Sequence, residues 1–267
     1  MPYTDHTNAT LADLISLKGR TAVVTGGAAG IGRAISKRLA EAGADLVIGD
    51  LDEGKAIETA AELSIFGGTH IGAKLNVGDH ASITALADLA VSKTGRLNIW
   101  VNSAGIYPSR AVLEIPDDEW DRVFDINVRG TFNGAREAAL RMEDNKGVIV
   151  NIVSTAAFNS SNGANPAHYV ASKHAVAGLT KSLAVELGPR GLRAVAVAPT
   201  LTETPGVATK RIDPAAAEAL VRYGQSLPLG RLGQPDDIAR AVLFAASDFA
   251  GFVTGSIIAA DGGDLAR

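Results

Sequence analysis

The feature that most constrains this chain is an alternation. Short runs of apolar and β-branched residues at 21–25, 45–50, 70–75, 97–101, 148–154, 194–198 and 256–260 take turns with helical patterns at 31–42, 53–63, 81–93, 117–142, 167–187 and 235–246. Several short runs are apolar throughout rather than alternating, which is the pattern of strands covered on both faces. A helix between successive strands forces a crossover, and crossovers of one hand build a parallel sheet with helices on both sides. The predicted fold is therefore α/β, a Rossmann-type doubly wound parallel sheet of about seven strands. Boundary residues agree: Gly43 follows the first helical pattern, Asp79 precedes the third and Pro235 opens the last. No composition break divides the chain, so 17–267 reads as one domain and 1–16 as an amino-terminal extension. In that extension Leu11, Leu14 and Ile15 would form one apolar helical turn against the body. Residues 200–227 are the longest stretch outside the repeat and follow a strand's carboxyl end, where a substrate lid belongs.

Composition narrows the chemistry. With no cysteine, disulfides, thiolate metal sites and a cysteine nucleophile are excluded. The five histidines lack ligand spacing, so no metal is expected, and His168 reads as solvated or as a substrate contact. A net charge of −4 argues against nucleic acid as a partner. No apolar run reaches the ~20 residues of a membrane span, and residues 1–17 contain neither Lys nor Arg, so no secretory signal is read there and the expected location is the cytoplasm.

The first strand runs into Thr25-Gly26-Gly27-Ala28-Ala29-Gly30-Ile31-Gly32, and a helix follows at once. Glycines let backbone approach a pyrophosphate, while the helix start offers free N–H groups and a favourable dipole. Alone, such a triplet would also serve an ordinary strand–helix turn. Asp50 closes the second strand about 20 residues further on, where an acid reads the adenosine ribose. A carboxylate there accepts from the 2′-hydroxyl and repels a 2′-phosphate, which favours NAD over NADP. Ala29 also stands in the loop where an NADP-type loop often carries a base.

Tyr169 and Lys173 stand at i and i+4 of a helical pattern and so share a face. A phenol with a pKa of about 10 is ionised only about one part in a thousand at neutral pH. An ammonium and an oxidised nicotinamide ring nearby both favour the phenolate, which is the form a general base needs. Ser154 ends the fifth apolar run, at the sheet edge where ligands of open α/β folds bind.

Taken together, these motifs resemble the short-chain dehydrogenase/reductase family, in its branch of about 250 residues. The likeness extends from Leu17 to Gly263: the loop at 25–32, Asn102-Ser103-Ala104-Gly105 after the fourth strand, the ordered set Asn127, Ser154, Tyr169 and Lys173, the segment 199–204, and 233–239 with 254–263 near the end. The resemblance implies that Tyr169 exchanges a proton with the substrate oxygen and that Ser154 holds that oxygen. It gives Lys173 the nicotinamide ribose and the task of lowering the Tyr169 pKa, and Asn127 a water-linked proton relay. The cofactor, NAD rather than NADP, would be held by Gly26, Ala29, Gly30, Ile31, Gly32, Asp50, Leu51, Asn76, Val77, Asn102, Ala104, Gly105, Tyr169, Lys173, Pro199, Thr202 and Thr204. Implied partners are a small alcohol or ketone and further copies of the chain, a homotetramer packed through the fifth and sixth helices and the last strand.

Three positions depart from the family pattern. Asn76 replaces an Asp that reads the adenine amine, Ser103 replaces an Asn, and Thr200 replaces a Gly after Pro199. The last is the largest change, since a β-branched residue resists the positive φ open to glycine. The activity expected is oxidation of a secondary alcohol (a polyol, sugar or cyclic alcohol). A 3-oxoacyl-thioester reductase and a catalytically silent dinucleotide-binding regulator are the alternatives. Pocket walls are expected from Ile106 and Tyr107, from 156–165 and from the 200–227 lid; Asn159, Ser160, Ser161, Asn162 and Asn165 would make the second of these polar.

Overall fold

The computed structural model describes residues 6–144, 146–159 and 166–267. Among them seven strands form one parallel sheet: β1 (Thr21–Thr25), β2 (Asp45–Asp50), β3 (His70–Lys74), β4 (Ile99–Asn102), β5 (Val148–Ile152), β6 (Arg193–Pro199) and β7 (Ile257–Ala260). Their order is β3-β2-β1-β4-β5-β6-β7. The chain builds outward from β1 to β3, then returns to place β4 on the other side of β1. That reversal opens a crevice at the carboxyl ends of β1 and β4, the topological switch point of an open α/β sheet.

The helices are α1 (Leu11–Ile15), α2 (Gly30–Glu41), α3 (Glu53–Leu63), α4 (His80–Thr94), α5 (Asp117–Phe124), α6 (Gly130–Arg141), α7 (Ala167–Leu187), α8 (Pro205–Ala208), α9 (Pro214–Ser226) and α10 (Pro235–Ala246). Two apolar layers explain the unbroken strand runs. Val24, Ile48, Val101 and Val150 cluster with Ile35 and Leu39 of α2, Ala56 of α3 and Val242 of α10. Their chain neighbours Val23, Val47, Trp100 and Ile149 cluster with Leu86 of α4 and Ala138 of α6. Val153 and Ala198 meet Val176 and Ala177 of α7. Successive side chains point to opposite faces, and in β1, β4 and β5 both faces are covered, so every position of those three strands is buried.

The structure corrects three expectations. The run 148–154 stops pairing at Ile152, so Ser154 does not end the strand; it sits beyond β5 with extended backbone and caps a short 3₁₀ turn, its hydroxyl accepting from Ala156 N–H at 3.2 Å. The pattern 117–142 is not one helix. Between α5 and α6 lies a π turn, Asp125–Arg129, closed by Gly130 N–H donating to Asp125 O. The wider turn swings Asn127 inward until it is almost fully buried. The amino-terminal turn does form as α1, capped by Thr10 and Asp13, but Leu11 stays 73% exposed and only Leu14 is half-buried. The stretch 200–227 folds into α8 and α9 around a small cluster of Val207, Leu220 and Leu232. No helix among the described residues is long and apolar enough to cross a membrane.

Candidate active site

At the switch point two turns are fastened together. The Thr25 hydroxyl accepts from the N–H groups of Ser103 at 3.0 Å and Ala104 at 3.1 Å. A Cβ on Gly26, which has φ +65°, would lie 3.0 Å from Ala104 Cα, and one on Gly32 would lie 2.0 Å from Gly26 O. Backbone therefore touches backbone along the loop, and only glycine permits it. Ala29 is the N-cap of α2 and gives it no side-chain cap, so the helix start keeps its N–H groups for an outside acceptor. Ile31 and Thr204 both line the crevice, with Thr204 against Gly30.

Asp50 sits beside this loop. Its carboxylate accepts from Ala28 N–H at 3.1 Å and from Asp52 N–H at 3.2 Å, while the following Leu51 is exposed. The Asn76 amide oxygen accepts from Gly78 N–H at 3.0 Å and keeps one lone pair, and Val77 packs against Gly130. A bare glycine backbone, an uncapped helix start and a carboxylate at its flank fit a dinucleotide. Asn102 contributes differently: its side chain binds Trp100, Asn151 and Thr131 inside the protein and holds β4, β5 and α6 together. Thr202 likewise turns inward, donating to Thr200 O at 2.8 Å, and Pro199 ends β6 in the cavity wall.

Tyr169, Lys173, Ser154 and Asn127 come together at the next strand ends. Lys173 is buried, donates to Ile152 O at 2.9 Å and lies 5.6 Å from the centre of the Tyr169 ring. Burial pushes its ammonium down to about 8. Burial also pushes the Tyr169 phenol up to about 12, against the opposing hydrogen bond with Ser154. The shift is opposite to the one expected from a nearby ammonium: burial dominates, and the Lys173 ammonium is engaged by the Ile152 carbonyl. Asn127 clasps Ile106, accepting from its N–H and donating to its O, both at 2.9 Å, and also donates to Ser172 Oγ at 3.2 Å. Gly105 lies between Asn127 and Lys173.

His168 is neither solvated nor facing the substrate cavity. It is fully buried, its Nδ1 accepts from Tyr169 N–H at 2.9 Å, and its Nε2 meets Glu119 Oε1 at 3.1 Å. The first contact puts the ring proton on Nε2, so His168 donates to Glu119. Arg110 grips the same carboxylate in a fork at 3.0 and 3.2 Å, and this hydrogen bond holds Glu119 below the usual carboxylate range. Together they tie the loop before α5 to the start of α7.

A cavity of about 520 Å³ runs from Ile31 past Ser154 and Tyr169 to Tyr223. Its lining mixes apolar side chains, Ile106, Val153, Leu201, Val207 and Leu220 among them, with the hydroxyl-bearing Ser109, Thr155, Thr200, Thr204 and Tyr223, and Tyr107 lies edge-on to Tyr169 at 6.4 Å. Ile106, Tyr107 and the lid were expected there. Of the polar stretch, Asn159 is exposed and outside the cavity lining, while Ser160, Ser161, Asn162 and Asn165 lie outside the described residues. Sequence reasoning missed the partnership of His168 with Glu119, separated by 49 residues, and that of Thr200 with Asp264, separated by 64. No local spacing signals either.

A family model described as enoyl-(acyl carrier protein) reductase matches residues 26–264. The chain is 41% identical over 246 residues to cis-4-hydroxycyclohexanecarboxylate dehydrogenase of Sinomonas cyclohexanicum, covering 91% of this chain and 96% of that one. It is 36% identical over 248 residues to the 3-oxoacyl-(acyl-carrier-protein) reductase FabG of Thermotoga maritima, covering 92% and 98%. Among solved structures, a short-chain type dehydrogenase/reductase from Mycobacterium marinum superposes with a TM-score of 0.89 at 31% identity, over 97% of this chain and 100% of that one.

Proposed function

The chain belongs to the short-chain dehydrogenase/reductase family, whose members use a nicotinamide cofactor, and from that premise we propose that it is an NAD-dependent dehydrogenase of compact cyclic secondary alcohols. The observation that carries the substrate class is the group of apolar side chains in the cavity lining, Ile106, Val153, Leu201, Val207 and Leu220. A sugar or polyol would set several hydroxyls against those apolar side chains, and each polar group left unpaired there costs about 1–3 kcal/mol. A ring carbon skeleton buries only apolar area, so the cyclic alcohol is preferred over the polyol and the sugar. The sequence similarity to a dehydrogenase of a hydroxylated cyclohexane acid agrees.

When bound, the nicotinamide supplies the hydride acceptor for oxidation and the donor for reduction. Tyr169 takes the alcohol proton in one direction and returns it in the other. Ser154, already hydrogen-bonded with that phenol, donates to the substrate oxygen and fixes it within reach. Lys173 sets a buried cation beside the ring and, with its pKa brought down to about 8, exchanges protons near neutral pH. Asn127 holds Ile106, and with it the wall facing the phenol.

NAD is favoured over NADP because Asp50 stands beside the loop and, among the described residues, no cation is bonded to it. The expected ratio of kcat/KM for NAD over NADP is above about 100, equivalent to ~2.7 kcal/mol. In Asp50→Ala that ratio falls at least tenfold. Steady-state kinetics with both cofactors tests this, and a preference for NADP in the unaltered protein rejects it. Reduction of a 3-oxoacyl thioester is the second reading, favoured by the likeness to FabG. It ranks lower because such reductases generally take NADPH, whose 2′-phosphate the Asp50 carboxylate disfavours.

Self-association as a homotetramer is also proposed. Phe252 is wholly exposed and Phe249 is 41% exposed just before β7, an apolar pair that a partner would cover. Sedimentation at micromolar concentration should give four times the mass of one chain; a monomer contradicts it.

A further inference from the structure

Thr200 fills a position where the family pattern has glycine, and the structure gives its hydroxyl two partners. Thr200 Oγ1 donates to Asp264 Oδ2 at 2.7 Å and lies 2.8 Å from the Tyr223 hydroxyl. The Tyr223 hydroxyl reaches the same carboxylate oxygen at 2.9 Å. The other oxygen, Oδ1, accepts from Arg267 Nη2 at 2.9 Å and Nε at 3.2 Å. Arg267 also donates to Ser226, the last residue of α9, and its guanidinium lies 5.6 Å from the centre of the Tyr223 ring. Thr200 and Asp264 are both buried.

Three remote segments thus meet at one carboxylate: the end of β6, the lid helix α9 and the turn after β7. Burial alone would raise the Asp264 carboxyl, but the hydrogen bonds from Thr200, Tyr223 and Arg267 outweigh it and hold the group below the usual range. Asp264 therefore stays ionised and keeps its donors. Glycine at position 200 would leave the carboxylate short of one donor. Thr200, Leu220 and Tyr223 line the same cavity as Tyr169. Whatever holds α9 down therefore also places the far wall of the substrate pocket.

We propose that Thr200, Tyr223 and Asp264 form a clasp that seats α9 on the cavity and sets the size of alcohol it accepts. The three are positioning residues: Tyr223 lines the cavity while its hydroxyl is held by Thr200 and Asp264. With the clasp closed, a compact ring fits and a long chain does not. The inference rests on the dehydrogenase reading given above for its substrate readout, but not for its structural one.

Three variants of the full chain test it: Thr200→Val, which keeps the shape and removes the hydroxyl, Thr200→Ser, which keeps the hydroxyl, and Tyr223→Phe, which keeps the ring. Initial rates of NAD reduction are measured with cyclohexanol and with 2-decanol. Thr200→Val and Tyr223→Phe should raise KM for cyclohexanol about tenfold with kcat within about twofold, and narrow the preference for cyclohexanol over 2-decanol about tenfold. Thr200→Ser should behave as the unaltered protein. The structural readout is trypsin cleavage after the exposed Arg222 of α9, followed by mass spectrometry. Cleavage should be about tenfold faster in Thr200→Val and unchanged in Thr200→Ser. Unchanged cleavage in both Thr200→Val and Tyr223→Phe overturns the clasp, as does Thr200→Ser behaving like Thr200→Val. If Thr200→Val fails to fold, Tyr223→Phe alone decides. If the unaltered protein oxidises neither alcohol, the substrate reading falls and the cleavage result still judges the clasp.

Discussion

Replacing Tyr169 by phenylalanine is expected to reduce kcat for alcohol oxidation by about 10³-fold while the Kd for NAD stays within about twofold. General acid–base groups contribute roughly 10²–10⁴-fold, and the phenol lines the cavity and shares a hydrogen bond with Ser154. Phenylalanine keeps the ring and its edge contact with Tyr107, so the pocket retains its shape. Calorimetric titration of NAD separates lost chemistry from lost binding. Substantial remaining turnover removes Tyr169 from its role. The unaltered enzyme carries a pH signature of defined sign. Burial holds the phenol up near 12, so the proton-accepting form is scarce at neutral pH and becomes commoner as pH rises. Oxidation should therefore quicken with pH, while reduction, which uses the protonated phenol, should not. An oxidation rate that falls across the same range contradicts this.

A comparable loss, this time in binding, is expected from Gly32→Ala. The added methyl would sit 2.0 Å from Gly26 O and 2.8 Å from its carbonyl carbon, far inside contact distance and against backbone that cannot rotate away. The loop must open to admit it, and overpacking of this kind costs about 1–3 kcal/mol or more. NAD affinity should weaken at least about 100-fold, and the melting temperature should fall. Gly54→Ala is the control. Its methyl would meet only Asp52 Oδ1, at an ordinary 3.5 Å, so both NAD affinity and melting temperature should hold. Equal affinity in Gly32→Ala and the unaltered protein would show that the loop does not hold the cofactor.

How much of this was legible in the sequence divides by range. The sheet and its order of events followed from period and alternation, because Val23 and Val24, or Ile149 and Val150, are each buried by a different layer. The glycine loop, Asp50, Tyr169 and Lys173 could be picked out because each sits at a strand end or on one turn of helix; Ser154 was picked out as a strand end, although it stands two residues beyond β5. Asn127 was identified, but not the π turn that directs it, since an i to i+5 closure leaves no period to read. Asn102 was read as a cofactor contact on likeness; its buried bonds to Trp100 and Asn151 depend on which strands are neighbours. His168 with Glu119, and Thr200 with Tyr223 and Asp264, are products of tertiary packing. In the sequence the first reads as a stray histidine and the second as a substitution in a motif.

The strand order also bears on how the protein is made. β1, which carries the glycine loop, has β2 on one side and β4 on the other, and β4 is completed only by pairing with β5. A chain emerging from the ribosome thus exposes its first strand with one edge open until residues 99–102 arrive. The phenol and lysine reach their place only after that, and the clasp only when Asp264 has been synthesised. Long-range parallel pairing of this kind is slow and leaves unpaired edges at risk of association. Nascent fragments ending short of β6 therefore lack the strand that pairs along the outer edge of β5.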